Sequence, residues 1–168
     1  MNVLVAYATR NGSTREVAEA VMGTLRACGA DARLQAARDV RRIAPRFELI
    51  VLGAPIYSGR WHRDAHRFLK RHRKELGTVP IAVFGMGPRR PDPEAWLRSR
   101  AQLDRALAKH DWLEPVAVTV FGGADPPKRD RQRRDLRDWT QIEAWASSLA
   151  NPSGWPAPAA GQRARSGA

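Results

Sequence analysis

The chain has 168 residues, 43% of them hydrophobic, which suits one globular domain with its own buried core and excludes a largely disordered chain. No run approaches the 18 apolar residues of a membrane-spanning helix, and no charged leader precedes an apolar segment, so we expect neither a transmembrane segment nor a secretory signal. A single cysteine, Cys28, excludes an internal disulfide and fits a cytoplasmic setting, while a formal charge of +12 favours anionic partners unless it only reflects an arginine-rich composition.

Apolar strands alternate with amphipathic helices along the chain. Strands are predicted at residues 2–7, 31–34, 47–52, 79–84 and 115–121, and helices at about 13–28, 63–76, 94–109 and 139–149. Ser13 and Glu16 have the spacing of a capping box that opens the first helix. This alternation predicts an α/β fold, a three-layer doubly wound sheet of five parallel strands in the order 2-1-3-4-5. The domain is predicted to cover 1–150, and the Pro/Gly/Ala-rich residues 151–168 to form a disordered tail.

A polar segment follows the first strand directly, with the sequence Thr9-Arg10-Asn11-Gly12-Ser13-Thr14. Its backbone N–H groups stand at a helix N-terminus, where the helix dipole favours a negative group, and its hydroxyls can donate further hydrogen bonds. It lacks both the Gly-Lys-Ser/Thr of a P-loop and the G-x-G-x-x-G of a dinucleotide site. The residues alone leave two alternatives open, an anion site or a capped turn without a ligand. In this fold the ligand lies where strands 1 and 3 end, and strand 3 ends at the sequence GAPIYSGRW.

Three stretches of the sequence resemble one family. AYATRNGSTREVA resembles the phosphate loop of the flavodoxin family, in which a Thr-x-x-Gly-x-Thr pattern, here Thr9, Gly12 and Thr14, wraps the phosphate of FMN. IVLGAPIYSGRWH resembles the second flavin loop of that family. Together with HRFLKRHRKEL and DWTQIEAWASSLA, these stretches are similar to the flavodoxin-like protoporphyrinogen oxidases that use menaquinone. The resemblance covers about residues 2–150 and implies a flavodoxin-like fold.

The resemblance implies FMN as the cofactor, with its phosphate on the first loop and its ring between the second loop and a third one near residues 85–90. The residues implied for the cofactor site are Thr9, Arg10, Asn11, Gly12, Ser13, Thr14, Ala54, Pro55, Ile56, Tyr57, Ser58, Gly59, Trp61, Gly85, Met86 and Gly87. Tyr57 and Trp61 are candidates to stack on or flank the ring, with a surface turn and a core anchor as their respective alternatives. No catalytic side chain is expected, because the flavin would carry the chemistry. His62 and His66 lie four residues apart but lack an evident third ligand, so no metal site is expected.

The charged residues have several interpretations. Arg60, Arg63, Arg89 and Arg90 are predicted near the flavin rim, where they would stabilise a negatively charged reduced ring or hold substrate carboxylates such as porphyrin propionates. The segment 126–138 is the most basic one. In the resembled oxidases this region is longer, so its shortness here leaves the substrate and any peripheral membrane contact open. It has no interleaved aromatic residues, so nucleic acid is not an expected partner.

We therefore predict an FMN-dependent oxidoreductase that passes electrons from a reduced organic substrate, a small molecule, to a quinone-like acceptor. Two alternatives remain open at this point. One is a flavodoxin-type electron carrier that acts with a redox protein partner, and the other is a regulatory or scaffold domain that keeps the fold without flavin.

Overall fold

The computed structural model describes residues 1–126 and 134–156. Its helices and strands are β1 (Asn2–Tyr7), α1 (Ser13–Ala27), β2 (Asp31–Ala36), β3 (Leu49–Tyr57), β4 (Arg60–Trp61), α2 (Arg63–Arg71), α3 (Arg73–Leu76), β5 (Ile81–Met86), α4 (Pro93–Leu107), β6 (Ala117–Phe121) and α5 (Trp139–Leu149). A 3-10 turn follows at Pro152–Gly154. Most of the basic segment and the predicted tail from residue 157 onward lie outside the described residues.

The sheet places its parallel strands in the order β2-β1-β3-β5-β6, and the short β4 pairs antiparallel with the end of β3. The predicted doubly wound α/β class is confirmed. The predicted order 2-1-3-4-5 was incomplete, because a two-residue strand such as β4 has too few residues to show a period in the sequence. The five long strands keep the neighbours that the prediction gave them.

Two hydrophobic clusters pack on the two faces of the sheet. Successive side chains of a strand point to opposite faces, so in β1 Leu4 belongs to one cluster while Val3 and Val5 belong to the other. Helices α2 and α4 contribute Phe68 and Leu103 to the first cluster. The second cluster receives side chains from α1 and α5, namely Val17, Val21, Ile142 and Leu149. Helices therefore cover both faces, and the carboxyl edge of the sheet is left to the loops.

The C-terminal boundary of the domain differs from the prediction. The side chain of Asn151 accepts a hydrogen bond from the Ser153 N–H and caps the 3-10 turn, and Trp155 packs against the second cluster. Residues 151–156 therefore lie against the domain, and the predicted start of a disordered tail at 151 was wrong. Within the part of the chain that is described, no helix has the length and apolar character needed to cross a membrane.

Candidate functional site

Three loops meet at the carboxyl edge of the central strands. Strand β3 lies between β1 and β5, so the chain leaves the sheet at adjacent points after Tyr7, Tyr57 and Met86. Asn11 Nδ2 in the first loop donates a hydrogen bond of 3.2 Å to the hydroxyl of Tyr57. The guanidinium carbon of Arg89 in the third loop lies 5.4 Å from the centre of the Tyr57 ring. Tyr57 thus joins the three loops into one site.

The first loop ends at a helix N-terminus without a side-chain cap. Gly12 is the N-cap residue of α1 with φ +91°, in the left-handed region that glycine tolerates best, and its N–H donates to Thr9 Oγ1 at 2.9 Å. Ser13 is the first helical residue and makes no capping bond, so the predicted capping box was wrong. The first N–H groups of any helix lack an acceptor within the helix, and in α1 no side-chain cap replaces it. Free N–H groups of this kind favour a negatively charged group in front of the helix.

The hydroxyl of Thr14 is the second unusual feature of this loop. Thr14 is 1% exposed, and its Oγ1 has no hydrogen-bond partner in the described residues. A buried polar atom without a partner costs about 1–3 kcal/mol, so such atoms are rare in folded proteins. Ser13 is also buried, whereas Arg10 and Asn11 are exposed at the rim of the loop. An oxyanion the size of phosphate could accept a hydrogen bond from the Thr14 hydroxyl and would remove this cost.

The second loop is a tight turn between β3 and β4. Ser58 and Gly59 have φ values of 47° and 75°, which is typical of a two-residue type I′ hairpin turn. Ala54, Pro55 and Ile56 lie in β3 and not in a loop, so the accessible part of this segment begins later than we expected. The exposed residues of this segment are Ser58 to Arg60, and Tyr57 at the end of β3 is half-buried.

Trp61 lies in the core and not beside the loops. Its side chain is 3% exposed, and its Nε1–H donates to the carbonyl of Ala54 at 3.2 Å. Of the two alternatives that the sequence left open, the structure supports the core anchor. With 3% of its side chain exposed, Trp61 offers little surface to a cofactor.

The third loop begins at Gly87 and is supported by the segment that follows β6. Gly85 and Met86, which we expected in the loop, are buried in β5. The N–H of Gly87 donates to the Phe121 carbonyl at 2.7 Å, and the N–H of Gly123 donates to the Pro88 carbonyl at 2.9 Å. A Cβ at Gly123 would lie only 2.8 Å from the Gly87 carbonyl oxygen, so the close approach requires glycine there.

Residues after β6 were missed as part of the site, although the Gly122-Gly123 pair was a visible signal. Arg89 Nη1 lies 3.6 Å from Asp125 Oδ1, which connects the third loop to this segment. Arg137, whose side chain is 4% exposed, donates hydrogen bonds to Asp135 and to Glu16 of α1. These hydrogen bonds to Asp135 and Glu16 raise the pKa of Arg137. Residues 135–137 are thereby fixed to the first turn of α1.

The four arginines predicted at one rim lie in two places. Arg89 is at the site beside Tyr57, and Arg90 is exposed in the same loop. Arg60 and Arg63 instead line a separate cleft between α2 and α4.

The two histidines that lie four residues apart have different partners in the structure. His62 Nδ1 accepts a hydrogen bond of 3.2 Å from the Asp64 N–H and caps α2, whereas His66 Nδ1 lies 2.9 Å from Nε2 of His110. In residues 1–126 and 134–156, no three His, Cys, Asp or Glu residues form a group that could hold a metal ion. Burial, with the positive charges of nearby groups including Lys70 and Lys109, lowers the pKa of both His66 and His110 below the ordinary 6.5.

These shifts predict that the protein loses stability in mild acid. The pKa of His66 and His110 is lower in the folded state than in the unfolded one, although Asp111 opposes the shift at His110. Below about pH 6.5 the unfolded chain therefore binds more protons, and the free energy of unfolding falls as the pH falls. Urea unfolding at about pH 7.5 and about pH 5.5 measures the difference. His66→Gln should reduce this difference in the free energy of unfolding between the two pH values. An equal difference in the variant and the unaltered protein would contradict the role of His66 in the pH dependence.

Comparisons with known proteins agree with this geometry. The family model described as Flavodoxin domain matches residues 4–128. A curated relative, protoporphyrinogen IX dehydrogenase [quinone] of Escherichia coli (strain K12), is 27% identical over 128 residues, which are 74% of this chain and 69% of the relative. The predicted resemblance to flavodoxin-type proteins is confirmed.

Solved structures share the fold at low sequence identity. Oxidised flavodoxin 1 from Bacillus cereus superposes with a TM-score of 0.61 at 17% identity, covering 89% of this chain and 97% of that one. Rubredoxin oxygen:oxidoreductase from Desulfovibrio gigas gives a TM-score of 0.59 at 15% identity, covering 89% of this chain and 35% of that one. The same fold thus occurs both as a whole protein and as part of a longer chain.

Proposed function

The chain belongs to the flavodoxin family, and on that premise we propose that it is an FMN-dependent oxidoreductase that passes electrons from a reduced organic substrate to a quinone-like acceptor. FMN is the cofactor of flavodoxin-type domains, which transfer electrons to and from redox partners. The relative from Escherichia coli is named for protoporphyrinogen IX and a quinone, which supports this kind of substrate and acceptor. When bound, the flavin supplies the redox chemistry, and the protein supplies binding, orientation and electrostatics.

One observation carries the proposal, namely the buried, unpartnered hydroxyl of Thr14 beside the uncapped N-terminus of α1. We infer that Thr9, Arg10, Asn11, Gly12, Ser13 and Thr14 hold the phosphate of FMN. The positive end of the helix dipole and the free N–H groups favour the phosphate, and Gly12 permits close approach of the backbone. The first loop therefore fits the group that the family requires.

The other two loops would contact the flat ring. Tyr57, Ser58, Gly59 and Gly87 reach the loop surface and are the proposed contacts. The remaining residues of the two segments lie in β3 and β5 and hold the loops in place, namely Ala54, Pro55, Ile56, Gly85 and Met86. Tyr57 offers an aromatic face, and its hydroxyl already accepts a hydrogen bond from Asn11.

Arg89 is proposed to tune the cofactor electrostatically. Its positive charge, 5.4 Å from the Tyr57 ring centre, would stabilise negative charge that the flavin gains on reduction. Replacing Arg89 by glutamine should lower the midpoint potential of bound FMN by roughly 10–30 mV. This is about the effect expected from removing one half-exposed positive charge near the flavin. Arg38→Gln, which removes an exposed charge beyond β2, is the matched control in potentiometric titrations. Equal potentials in the unaltered protein and Arg89→Gln would contradict this role.

Two measurements test the proposed function in order. Freshly purified protein should be yellow, and the flavin released from it should be FMN by mass. The FMN-loaded protein should then oxidise protoporphyrinogen with menadione as the acceptor. Protein that binds no FMN would overturn the cofactor assignment, and with it the function.

An electron carrier is the second candidate function. This chain covers 97% of Bacillus cereus flavodoxin 1, so its architecture is nearly that of a complete flavodoxin. A carrier would be reduced quickly by a reductase partner but would not oxidise protoporphyrinogen or a similar small molecule. That combination of rates would favour the carrier over the oxidase.

A further inference from the structure

A cleft of about 400 Å³ lies between the β3–β4 turn, α2 and α4. It borders Gly59 and Arg60, so it adjoins the second loop of the cofactor site and shares Gly59 with it, while its other lining residues lie outside the proposed FMN contacts. Its volume falls in the range of small-molecule sites, about 300–1,000 Å³, and it is a concave feature and not a flat charged surface. Nothing in the proposed electron transfer uses this cleft.

Four cationic side chains line the cleft, namely Arg60, Arg63, Arg105 and Lys109, and none of the lining residues is acidic. Arg63 has a distant ion pair, with its Nε 3.8 Å from Asp64 Oδ1, and the same carboxylate oxygen lies 3.5 Å from Arg67 Nη1. In residues 1–126 and 134–156 the other three cations form no ion pair. Several unbalanced positive charges in one concavity attract an anion strongly, because low-dielectric walls focus the field.

The floor and walls of the cleft are neutral. Trp61 and Ala106 form a largely apolar floor, being 3% and 5% exposed. His66 stands on one wall with its ring nearly perpendicular to the Trp61 ring, at a centroid distance of 5.5 Å. The amide of Gln102 approaches the turn, with its Nε2 3.4 Å from the position of a Cβ at Gly59. The cleft therefore combines a cationic rim with neutral hydrogen-bonding groups inside it.

We propose that this cleft binds a multivalent oxyanion, a small molecule with two or more phosphate or carboxylate groups, independently of FMN at the neighbouring loops. Guanidinium groups form paired hydrogen bonds with both phosphate and carboxylate oxygens. Three arginines and one lysine around a single cavity suit a ligand with several negative charges better than a monovalent ion. The site goes beyond the proposed redox function, because it requires neither the first loop nor the third.

Calorimetric titration of the FMN-saturated protein tests the proposal. Saturating FMN occupies the phosphate-binding loop, so a second anion must use another site. Tripolyphosphate and citrate are the probes. Tighter binding of tripolyphosphate would assign the natural ligand to the phosphates, and tighter binding of citrate would assign it to the carboxylates. The double variant R105Q/K109Q should bind the better probe at least tenfold more weakly. The matched double variant R38Q/R41Q removes the same charge near the end of β2 and should change binding less than twofold.

An NMR titration distinguishes a local site from general attraction of anions to a basic protein. The ring proton signals of His66 and His110 should move in NMR spectra on titration, whereas those of His72, which is buried against Val40, should not. An absence of saturable binding of both probes would overturn the proposal. The proposal would also be overturned if both double variants lost the same amount of affinity for the probe, or if FMN competed with the probe for binding.

Discussion

Replacing Thr14 with valine should stabilise the FMN-free protein and weaken FMN binding, two effects of opposite sign. The Thr14 hydroxyl is buried without a partner in the described residues, so replacing it with a methyl group removes a cost of about 1–3 kcal/mol. If that hydroxyl donates to the phosphate of FMN, valine loses a hydrogen bond to a charged group. Such a bond is worth about 1.5–3 kcal/mol, or about 10- to 150-fold in affinity. Thermal unfolding without FMN and fluorescence titration with FMN measure the two effects.

Two further variants separate the hydroxyl from the shape of the side chain. Thr14→Ser keeps the hydroxyl and should retain most of the affinity for FMN. Thr24→Val makes the same change ten residues further along α1, about 15 Å away, and should alter both quantities by less than about 0.5 kcal/mol. Unchanged FMN affinity in Thr14→Val would show that this loop does not bind the phosphate through Thr14.

The fold and the first loop could be predicted because their signals are local in the sequence. The central strands β1, β3 and β5 are buried on both faces and are therefore nearly continuous apolar runs, as in Leu49–Leu52, which is typical of a parallel sheet. The first loop concentrates its hydroxyls, its glycine and its helix start within Thr9–Thr14. A contiguous arrangement of this kind needs no knowledge of which distant segments meet.

The rest of the site depends on contacts between distant parts of the chain. Trp61 follows a polar turn in the sequence, but the β3–β4 hairpin folds its ring back under Ala54, where it is buried. His66 pairs with His110, 44 residues away, and not with its helical neighbour His62. Such pairings follow from how α2 and α4 pack on the sheet, which no periodicity in either helix specifies.

The capping error at α1 has a different cause. Ser13 and Glu16 match the capping-box pattern, yet Gly12 takes the N-cap position and Glu16 instead accepts a hydrogen bond from Arg137. The helix thereby keeps its first N–H groups free, as an anion site requires. The capping-box pattern therefore fails at the helix N-terminus where the proposed function needs free N–H groups.

A second large effect is expected at Gly53, where alanine should destabilise the protein and weaken FMN binding together. A Cβ at Gly53 would overlap the ring of Phe84, its neighbour across β3 and β5. That ring is fully buried and packs against Phe121 and Trp145, at centroid distances of 5.6 and 5.9 Å, so it has no space to move. Overpacking of this kind costs about 1–3 kcal/mol, which chemical denaturation would detect.

The loss of FMN affinity follows from the backbone at the same residue. The Gly53 carbonyl accepts a hydrogen bond of 2.8 Å from the N–H of Ala8, the residue before the phosphate loop, so a displaced β3 moves the start of that loop. Gly23→Ala is the matched control, because its Cβ would meet no atom within 4 Å and the helix should gain about 0.5–1 kcal/mol. Adding Phe84→Leu to Gly53→Ala should recover part of the lost stability, since the smaller side chain leaves room for the new Cβ. If the two substitutions were simply additive, contact with the Phe84 ring would not be the reason that residue 53 is glycine.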